Sequence, residues 1–384
     1  MRLVDAIDFN PTEKLTKNTN AKKIGMEKLS PFYKYVDSFE YEKYSGGAKF
    51  RNGDTIVARI TPCLENGKTA YIDLLDDDEI AFGSTEFIVM RSKENVTIPE
   101  YVYYLSISPK FREKAISLMT GTSGRQRVQL DPLKEEEFNI PSVHDQIKIV
   151  KILSSIDKKI KLNNKINNNL HELCNNMYFE LVSQLDDSNS SSKQIKEVSK
   201  CVLGGTPSRA KSEYWNGNIN WINSGEVNKF RIIDASEKIT ELGLQKSSTA
   251  LLPKGTTVLA ITGATLGQVS RLEIDSCANQ SVIGIIPNNI ELNNYIYLSI
   301  FNTINDLILK QTGGAQQHIN KNDVETHEII IPNDKLLKKF DESTRSMFDK
   351  ISITCFENKR LEQLRDTLLP KLMNGEIDLD NIEI

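Results

Sequence analysis

The sequence predicts a mixed α/β (α+β) protein built as two repeated globular domains, each followed by a long helix. Two segments carry a helical hydrophobic pattern over about 40 residues. Each is preceded by a block of short β-runs separated by turn residues. Phrases of the first block recur in the second at a nearly fixed distance, which indicates an internal repeat. The chain has 384 residues, enough for two or three domains.

The first block contains FRNGDTIVARIT and ends in GTSGRQRV and EEFNIP. Its pattern predicts strands at Thr55–Ile60 and Glu86–Met90 and one helix at Pro99–Met119.

The second block contains LPKGTTVLAIT and ends in TGGAQQHI and THEIIIP. An offset of 202 residues aligns Gly53 with Gly255, and an offset of 191 aligns Pro141 with Pro332. The predicted elements of this block are strands at Thr257–Ile261 and Ser281–Ile286 and a helix at Leu292–Leu309.

Long helices are predicted from about His144 to Leu185 and from about Asp334 to Leu369. Their seam residues recur in steps of four and three, the spacing of a coiled coil. Such a helix is about 60 Å long and needs a partner along its length, either the other long helix or its own domain. The predicted seam residues of the two long helices are Ile149, Leu153, Ile156, Ile160, Leu170, Met177, Leu181, Met347, Ile351, Leu361 and Leu368.

The centres of both seams are polar, with Asn163 and Asn167 in the first helix and Thr354 and Asn358 in the second. A buried Asn can fix the register of paired helices. The alternative is that these residues are exposed.

A Ser/Asp/Asn-rich stretch, Ser183–Lys193, reads as a linker after the first helix. The predicted organisation is a first domain at residues 1–142 and a long central helix at 143–185. A linker with the second domain follows at 186–332, and a long C-terminal helix with a tail at 333–384.

Composition excludes several protein classes. With 48 Lys and Arg against 52 Asp and Glu, the net charge is −4, so no overall basic surface points to nucleic acid. The five cysteines are widely spaced, which argues against a zinc knuckle or a disulfide framework. No apolar run is long enough to span a membrane, and Asp5 and Asp8 lie where a signal peptide would be apolar. We expect a cytoplasmic protein.

Motifs typical of enzymes are incomplete. Asn66-Gly67-Lys68-Thr69 resembles the end of a P-loop, but Pro62 stands where that loop needs glycine. His171-Glu172 begins a zinc motif that lacks its second histidine. The four histidines accompany no serine nucleophile elbow. The sequence therefore predicts a non-catalytic protein with no bound metal or cofactor, and an NTP-using enzyme built on Gly67–Thr69 is the weaker alternative.

Two glycine-rich loops carry groups that read or position nucleic acid. Gly121–Arg127 offers hydroxyls, backbone amides and two guanidinium groups, whereas Thr312–His318 offers two amides and an imidazole. Arginine pairs with guanine and glutamine with adenine in the major groove. Each loop alone could be a surface turn, but their matched positions before the long helices favour a shared function.

Several phrases in a fixed order resemble the specificity subunit of type I restriction-modification systems over nearly the whole chain. The matching phrases are KFRNGDTIVARITPCLENGKTAYID, AFGSTEFIV, MTGTSGRQRV, GGTPSR, EYWNGNINWINSGEV, ITGATLG, NQSV and LLPKLMNGEI. The resemblance implies two target-recognition domains, each contacting half of a bipartite asymmetric DNA target, joined by two antiparallel helices as a spacer.

The same resemblance implies that the chain is a DNA-binding scaffold without catalytic activity. Its expected partners are double-stranded DNA, modification subunits that methylate adenine N6 with S-adenosylmethionine, and restriction subunits that use ATP and magnesium for cleavage. The expected DNA-binding residues are Arg59, Thr61, Asn66, Lys68, Ser84, Thr85, Arg125, Gln126, Arg127, Ser208, Arg209, Ser224, Thr262, Thr265, Gln268, Asn279, Gln280, Gln316, Gln317 and His318.

Other interpretations stay open at the level of sequence. Glu86 and Glu226 could accept from cytosine N4 or serve as structural caps, and Trp215 and Trp221 are expected in the second core rather than stacked on bases. The chain could serve a related phase-variable or non-type-I restriction-modification enzyme. It could also be a long-helix adaptor that binds no DNA.

Overall fold

The structure, a computed structural model, describes residues 1–122, 124–309 and 318–379. The chain divides into two compact units. The first comprises Met1–Leu162 and the described residues after 357, and the second comprises Asn163–Glu357.

The first unit contains two four-stranded sheets, with strand orders β1-β8-β5-β6 and β3-β2-β7-β4, and a small hairpin. Its elements are α1 (Leu3–Ala6), β1 (Ile7–Phe9), β2 (Asn20–Ile24), β3 (Glu40–Lys43), β4 (Lys49–Phe50), β5 (Thr55–Ala58), β6 (Thr69–Tyr71), β7 (Ala81–Gly83), β8 (Phe87–Ser92), α2 (Pro99–Ile107), α3 (Pro109–Ser117), β9 (Met119–Thr120), β10 (Arg127–Val128), α4 (Leu130–Glu135) and the start of α5 (Val143–Ser183).

Strands β5 and β8 are apolar on both faces because both faces are covered. Ile56 and Val89 pack into a core between the two sheets. Val57 and Ile88, on the opposite face, pack against the helices, in a core that also contains Leu369 near the C-terminal end of the chain. This two-sided burial explains the continuous apolar runs of these strands.

The second unit repeats this plan, with sheets β12-β18-β15-β16 and β14-β13-β17 and the pair β11-β19. Its elements are β11 (Ser190–Gln194), α6 (Ile195–Val198), β12 (Ser199–Leu203), β13 (Trp215–Ile222), β14 (Glu237–Ile239), α7 (Glu241–Gln245), β15 (Thr257–Ala260), β16 (Val269–Arg271), β17 (Cys277–Ala278), β18 (Val282–Pro287), α8 (Asn293–Leu309), α9 (Lys321–Glu325), β19 (Glu328–Pro332) and most of α10 (Asp334–Met373).

The turn that precedes β5 and β15 shows how closely the repeat is kept. Gly53 and Gly255 both have φ of +89°, a conformation that disfavours residues with a side chain. The Gly53 amide donates to the Ile72 carbonyl at 2.9 Å, and that of Gly255 donates to Leu272 at 2.8 Å. The repeat expected from these glycines is therefore also a repeat of backbone geometry.

Two local predictions are wrong. The helix expected at Pro99–Met119 is two helices, α2 and α3, because Ser108 is extended (ψ 145°) before Pro109, which restricts its preceding residue and begins a new helix. Part of the expected linker is a strand, since Ser190–Gln194 pairs antiparallel with Glu328–Pro332.

The two long helices run antiparallel to each other within each unit. In the second unit the Asn163 amide donates to Glu357 at 2.9 Å, and Cys174 lies 3.9 Å from Met347. In the first unit Arg365 donates to Asp157 at 3.0 Å. The mixed α/β fold class with long paired helices is thereby confirmed.

The predicted seam lies along this pairing. Ile149, Leu153, Ile156, Ile160 and Ile351 are buried. The polar centre is buried too, and the Asn167 side-chain oxygen accepts from the Thr354 hydroxyl. The remaining seam residues are half-buried, namely Leu170, Met177, Leu181, Met347, Leu361 and Leu368.

No helix in the part of the chain that the structure describes is both long and apolar enough to cross a membrane.

Candidate nucleic-acid interface

In the first unit, three separated segments meet at the end of β5. The Arg59 amide donates to the Glu86 carbonyl at 2.9 Å, and the Val128 amide donates to the Arg59 carbonyl at 2.9 Å. The Thr61 amide donates to the Gln126 carbonyl at 3.0 Å. These bonds place the expected residues of the β5 end, of the turn before β8 and of the glycine-rich loop side by side. We call this place the first junction.

At the first junction, Arg127 and Glu86 form an ion pair. The Arg127 Nε donates to both Glu86 carboxylate oxygens at 2.9 and 3.0 Å, and Nη2 donates to Oε1 at 2.7 Å. The hydrogen bonds and charge of Glu86 raise the pKa of Arg127. Glu86 therefore holds an arginine rather than presenting a free acceptor for cytosine.

Other expected residues of the first unit turn toward the protein. Arg59 Nη2 donates to the Val128 carbonyl at 3.2 Å, and Ser84 Oγ accepts from the Glu86 amide at 3.1 Å. The hydroxyl of Thr61 and Nε of Arg59 are buried without a partner among the described residues.

Lys68 also turns inward, donating to the Met26 carbonyl at 2.8 Å. The next element is a strand, β6, and not the helix that a P-loop would open. The nucleotide-binding interpretation of Gly67–Thr69 therefore lacks its phosphate cradle.

The exposed members of the set are Asn66, Thr85 and Arg125, while Gln126 is half-buried. Thr85 and Arg59 line a concavity of about 390 Å³ together with Lys49. The exposed expected residues of the first junction are thus polar, and Arg125 is exposed close to the Arg127–Glu86 pair.

The second unit forms an equivalent junction at the end of β15. The Ile261 amide donates to the Ser281 carbonyl at 2.9 Å, and the Ile319 amide donates to the Ile261 carbonyl at 3.0 Å. These bonds match those of the first junction position by position, so Ser281 stands for Glu86 and His318 for Arg127. We call this place the second junction. Gln316 and Gln317 lie outside the described residues.

The polar side chains of the second junction bond mainly to the backbone of neighbouring residues. Asn279 accepts from the Ser281 amide at 3.1 Å, and the Thr265 hydroxyl donates to the Thr262 carbonyl at 3.3 Å. Gln280 accepts from the Thr206 hydroxyl. His318 and Gln268 are exposed, and Ser224 is half-buried.

Two open questions from the sequence are answered in the second unit. Glu226 is buried and accepts from the Ser236 amide and hydroxyl, both at 3.0 Å, so it serves as a structural acceptor. Trp221 is buried and donates to the Gly205 carbonyl at 3.0 Å, with Trp215 packed edge-on at 5.2 Å.

Arg209 stacks on this tryptophan pair. Its guanidinium lies 3.6 Å from the Trp215 ring centroid, and its Nη1 and Nη2 both donate to the Glu237 carboxylate. Neighbouring Ser208 is exposed, and its carbonyl accepts from Trp215 at 3.2 Å.

Sequence reasoning missed a buried polar corner in each unit. In the first, Lys34 donates to Glu100 at 3.0 Å and to the Tyr104 hydroxyl at 3.2 Å, and Tyr104 donates to Asp157 of α5 at 2.6 Å. Burial lowers the pKa of Lys34. The acceptor Asp157 in turn binds Arg365 of α10.

In the second unit, Arg231 donates to the Tyr297 hydroxyl at 2.9 Å, and this hydroxyl lies 3.4 Å from His171 of α5. A signal was present in the sequence, because Tyr104 and Tyr297 occupy the same place in the repeated phrase YLSI.

No group of three or more His, Cys, Asp and Glu side chains able to hold a metal ion occurs within residues 1–122, 124–309 and 318–379.

Comparison with known proteins identifies the repeat. The type I restriction modification DNA specificity domain matches residues 2–172 and again residues 188–364. The type I restriction enzyme HindI specificity subunit of Haemophilus influenzae is 24% identical over 405 residues, covering 85% of this chain and 87% of that protein. The EcoR124I/EcoR124II specificity subunit of Escherichia coli is 26% identical over 316 residues, covering 77% and 76%.

A solved structure has the same fold. The S subunit of a type I restriction-modification system from M. genitalium superposes with a TM-score of 0.56 at 18% identity, covering 97% of this chain and 95% of that one. With two copies of the family domain spanning most of its length, the chain belongs to the type I restriction-modification DNA specificity family, as a specificity subunit whose part is DNA recognition and not catalysis.

Proposed function

We propose that this chain reads a bipartite, asymmetric DNA target, with one half-site at each junction, and assembles modification and restriction subunits around it. One observation carries the proposal. The two junctions share the same backbone hydrogen bonds but expose different side chains, Arg127 with Glu86 in one and His318 with Ser281 in the other. A repeated frame with different reading groups suits two unlike half-sites.

The long helices support the scaffolding part of the proposal. Leu162 and Leu364 are exposed on the helices of the first unit, at 53% and 47%. Leu173 and Ile353 are exposed in the second unit, at 49% and 61%. An offset of 191 residues relates Leu162 to Ile353 and Leu173 to Leu364. Equivalent exposed apolar positions favour one modification subunit docked on each unit.

In this proposal the chain itself holds no cofactor. S-adenosylmethionine belongs to the modification subunits, and ATP and magnesium belong to the restriction subunits. Because the substrate is DNA and the partners are DNA-modifying and DNA-cleaving subunits, we place the complex in the cytoplasm.

The test is to express the chain with the modification subunit encoded beside it, purify the complex, and sequence the adenine methylome with and without the gene for this chain. We expect copurification and adenine methylation at one split motif that disappears on deletion. Methylation that is unchanged at every split motif, in a host that expresses the modification subunit, would contradict the proposal.

The two half-sites can be assigned separately. Substituting Gln316→Ala and Gln317→Ala should change base preference in one half-site only, because both residues precede His318 of the second junction. The measurement is methylation of a duplex pool randomised at each position. A change confined to the half-site that Arg127→Ala alters would contradict this assignment.

A further inference from the structure

The Arg127–Glu86 pair leaves one edge of the guanidinium group open. A guanidinium has five N–H donors in one plane, and Glu86 takes those of Nε and one of Nη2. Apart from a long 3.4 Å contact from Nη1 to the Arg125 carbonyl, the end formed by Nη1 and Nη2 has no other bond among the described residues. The Arg127 side chain is 42% exposed. The carboxylate therefore fixes the plane of the guanidinium group. It leaves accessible the pair of donors at the Nη1–Nη2 end, here called the fork.

The charge of this pair bears on what the fork binds. A lone exposed arginine is attracted to any phosphate, whereas an arginine and the carboxylate paired with it together carry little net charge. The Glu86 carboxylate would also repel a phosphate placed beside it. What remains is a rigid pair of parallel donors, which matches the N7 and O6 acceptors of guanine in the major groove.

We propose that Arg127 reads a guanine in the first half-site through the outer edge formed by Nη1 and Nη2, with Glu86 as the positioning residue that holds the fork. This inference rests on the proposed function and adds to it the base that the first junction selects.

Two comparisons within the chain sharpen the assignment. Arg209 is also paired with a glutamate, but both of its Nη atoms bind Glu237, so its fork is occupied. At the second junction, Ser281 and His318 occupy the positions of Glu86 and Arg127. These two residues supply neither the carboxylate nor the guanidinium group of such a pair. This mode of guanine reading is therefore confined to the first half-site.

The experiment uses the full chain in complex with its modification subunit. The rate of adenine methylation is measured on duplexes randomised at each target position, at several salt concentrations. The variants are Arg127→Lys, which keeps the charge but loses the fork, and Glu86→Gln, which removes the charge that holds it. The double variant Glu86→Gln/Arg127→Lys shows whether the two residues act as one unit.

The control is Asp5→Asn. Asp5 holds Arg2 in the same side-on geometry, accepting from Nε at 2.9 Å and from Nη2 at 3.0 Å. This pair belongs to the same unit but lies at its N-terminal helix. The control therefore repeats the loss of one carboxylate beside an exposed arginine, away from the junction.

We expect Arg127→Lys to lower the preference for guanine at one first-half-site position by about 5- to 100-fold. Glu86→Gln should lower the same preference and also increase the salt dependence by about one phosphate contact, because the freed cation is then attracted to the backbone. A purely structural role for Glu86 would not produce this change in salt dependence. The double variant should lose no more guanine preference than Arg127→Lys alone, and Asp5→Asn should match the unaltered chain.

An unchanged guanine preference in Arg127→Lys, an equal loss in Asp5→Asn, or a first half-site without guanine would overturn the inference while leaving the proposed function intact. A complex of the unaltered chain that methylates without any sequence preference would overturn the proposed function, and this inference with it.

Discussion

At the scale of single residues, one tyrosine in each unit links a buried cation to a side chain of helix α5, and the two tyrosines are equivalent in the repeat. Tyr104 and Tyr297 each accept a hydrogen bond from a buried cation, Lys34 in one unit and Arg231 in the other. The side chain of α5 that contacts the tyrosine hydroxyl differs: it is the Asp157 carboxylate in the first unit and the His171 ring in the second. The corner has therefore kept its tyrosine and its cation while the chemistry of the helix side has changed.

His171 should make the stability of the chain depend on pH. Burial, and then the charge of Arg231, lower the pKa of His171 to about 4, against about 6.5 in an unfolded chain. Between these values the unfolded chain takes up a proton that the folded chain does not, so stability is full above pH 6.5 and falls as pH drops toward 4. The loss is at most about 3 kcal/mol.

Denaturant unfolding measured between pH 7 and 4 checks this expectation. His171→Gln should flatten the slope, whereas His144→Gln, at an exposed position of the same helix, should leave it as in the unaltered chain. An equal slope in His171→Gln and the unaltered chain would show that the imidazole is not responsible.

Residue-level prediction from the sequence succeeds where a residue type has one dominant use and fails where partners decide. Trp221 was expected in the core and is buried there. Glu86 and Glu226 could not be separated by sequence, since each follows a short polar run. Only the fold reveals that one holds Arg127 and that the other accepts from Ser236.

At the scale of elements, α5 and α10 are joined by a buried ion pair in the first unit. The side chains of Asp157 and Arg365 are each only 3% exposed. At the equivalent positions of the second unit, an offset of 191 residues away, stand Phe348 and Cys174. The equivalent positions of the two helices thus carry opposite charges in the first unit and an aromatic ring and a thiol in the second.

Removing one charge of this pair should be costly. Asp157→Asn removes the buried carboxylate from Arg365 and leaves it only the exposed Asp366, for which a loss of about 3 kcal/mol in the free energy of unfolding is expected. Chemical denaturation of the full chain measures it. Glu172→Gln, the same type of change at an exposed position of α5, should stay within about 0.5 kcal/mol; a similar loss in both variants would rule out the ion pair as the cause.

The exposed apolar positions of the long helices give a separate expectation for assembly. Leu162→Asp and Ile353→Asp should each weaken binding of the modification subunit by about 10- to 100-fold, because a carboxylate would be buried in the docked face. Titration of labelled subunit onto the full chain measures the affinity. Leu251→Asp, at an exposed apolar position outside the helices, is the matched control, and an affinity unchanged in both helix variants would disprove docking on this face.

Elements were predictable where the hydrophobic period was long, as in α5 and α10. They were missed where a few residues decide. Pro109 splits one expected helix into two, and the Ser-rich stretch at Ser190–Gln194 becomes a strand because β19 offers it a partner. A strand specified by its partner leaves little trace in its own composition.

At the scale of the whole molecule, the net charge of −4 leaves little general attraction to DNA. The segment from Lys14 to Lys68 holds 11 basic and 6 acidic residues, but Lys68 and Lys34 bond within the protein. If the chain acts as proposed, we expect much of the attraction to phosphates to come from the partner subunits.

We therefore expect the isolated chain to bind target duplex weakly at physiological salt, and the complex with modification subunits to bind it tightly and with steep salt dependence. Fluorescence anisotropy with target and scrambled duplexes at several salt concentrations checks both. Tight and specific binding by the isolated chain would show that the charges of this chain suffice.

The internal repeat could be predicted from the sequence because the duplicated phrases of the two halves can be aligned with each other. The residues of the junctions could be predicted only in part, and their pairing could not. Arg127 was expected at a DNA surface, yet its pairing with Glu86 joins residues 41 positions apart, a separation that no local pattern encodes.

The first unit is discontinuous along the chain, and this bears on its biosynthesis. Its core is completed by Leu369 and Leu372, whereas the second unit ends at Glu357. A ribosome therefore synthesises every residue of the second unit before it has made the last part of the first. Although most of the first unit is synthesised first, its core can be completed only after Leu369 and Leu372 have been made. Until then the apolar surface that these residues cover stays exposed on the nascent first unit, and that surface is the one that a chaperone would need to shield.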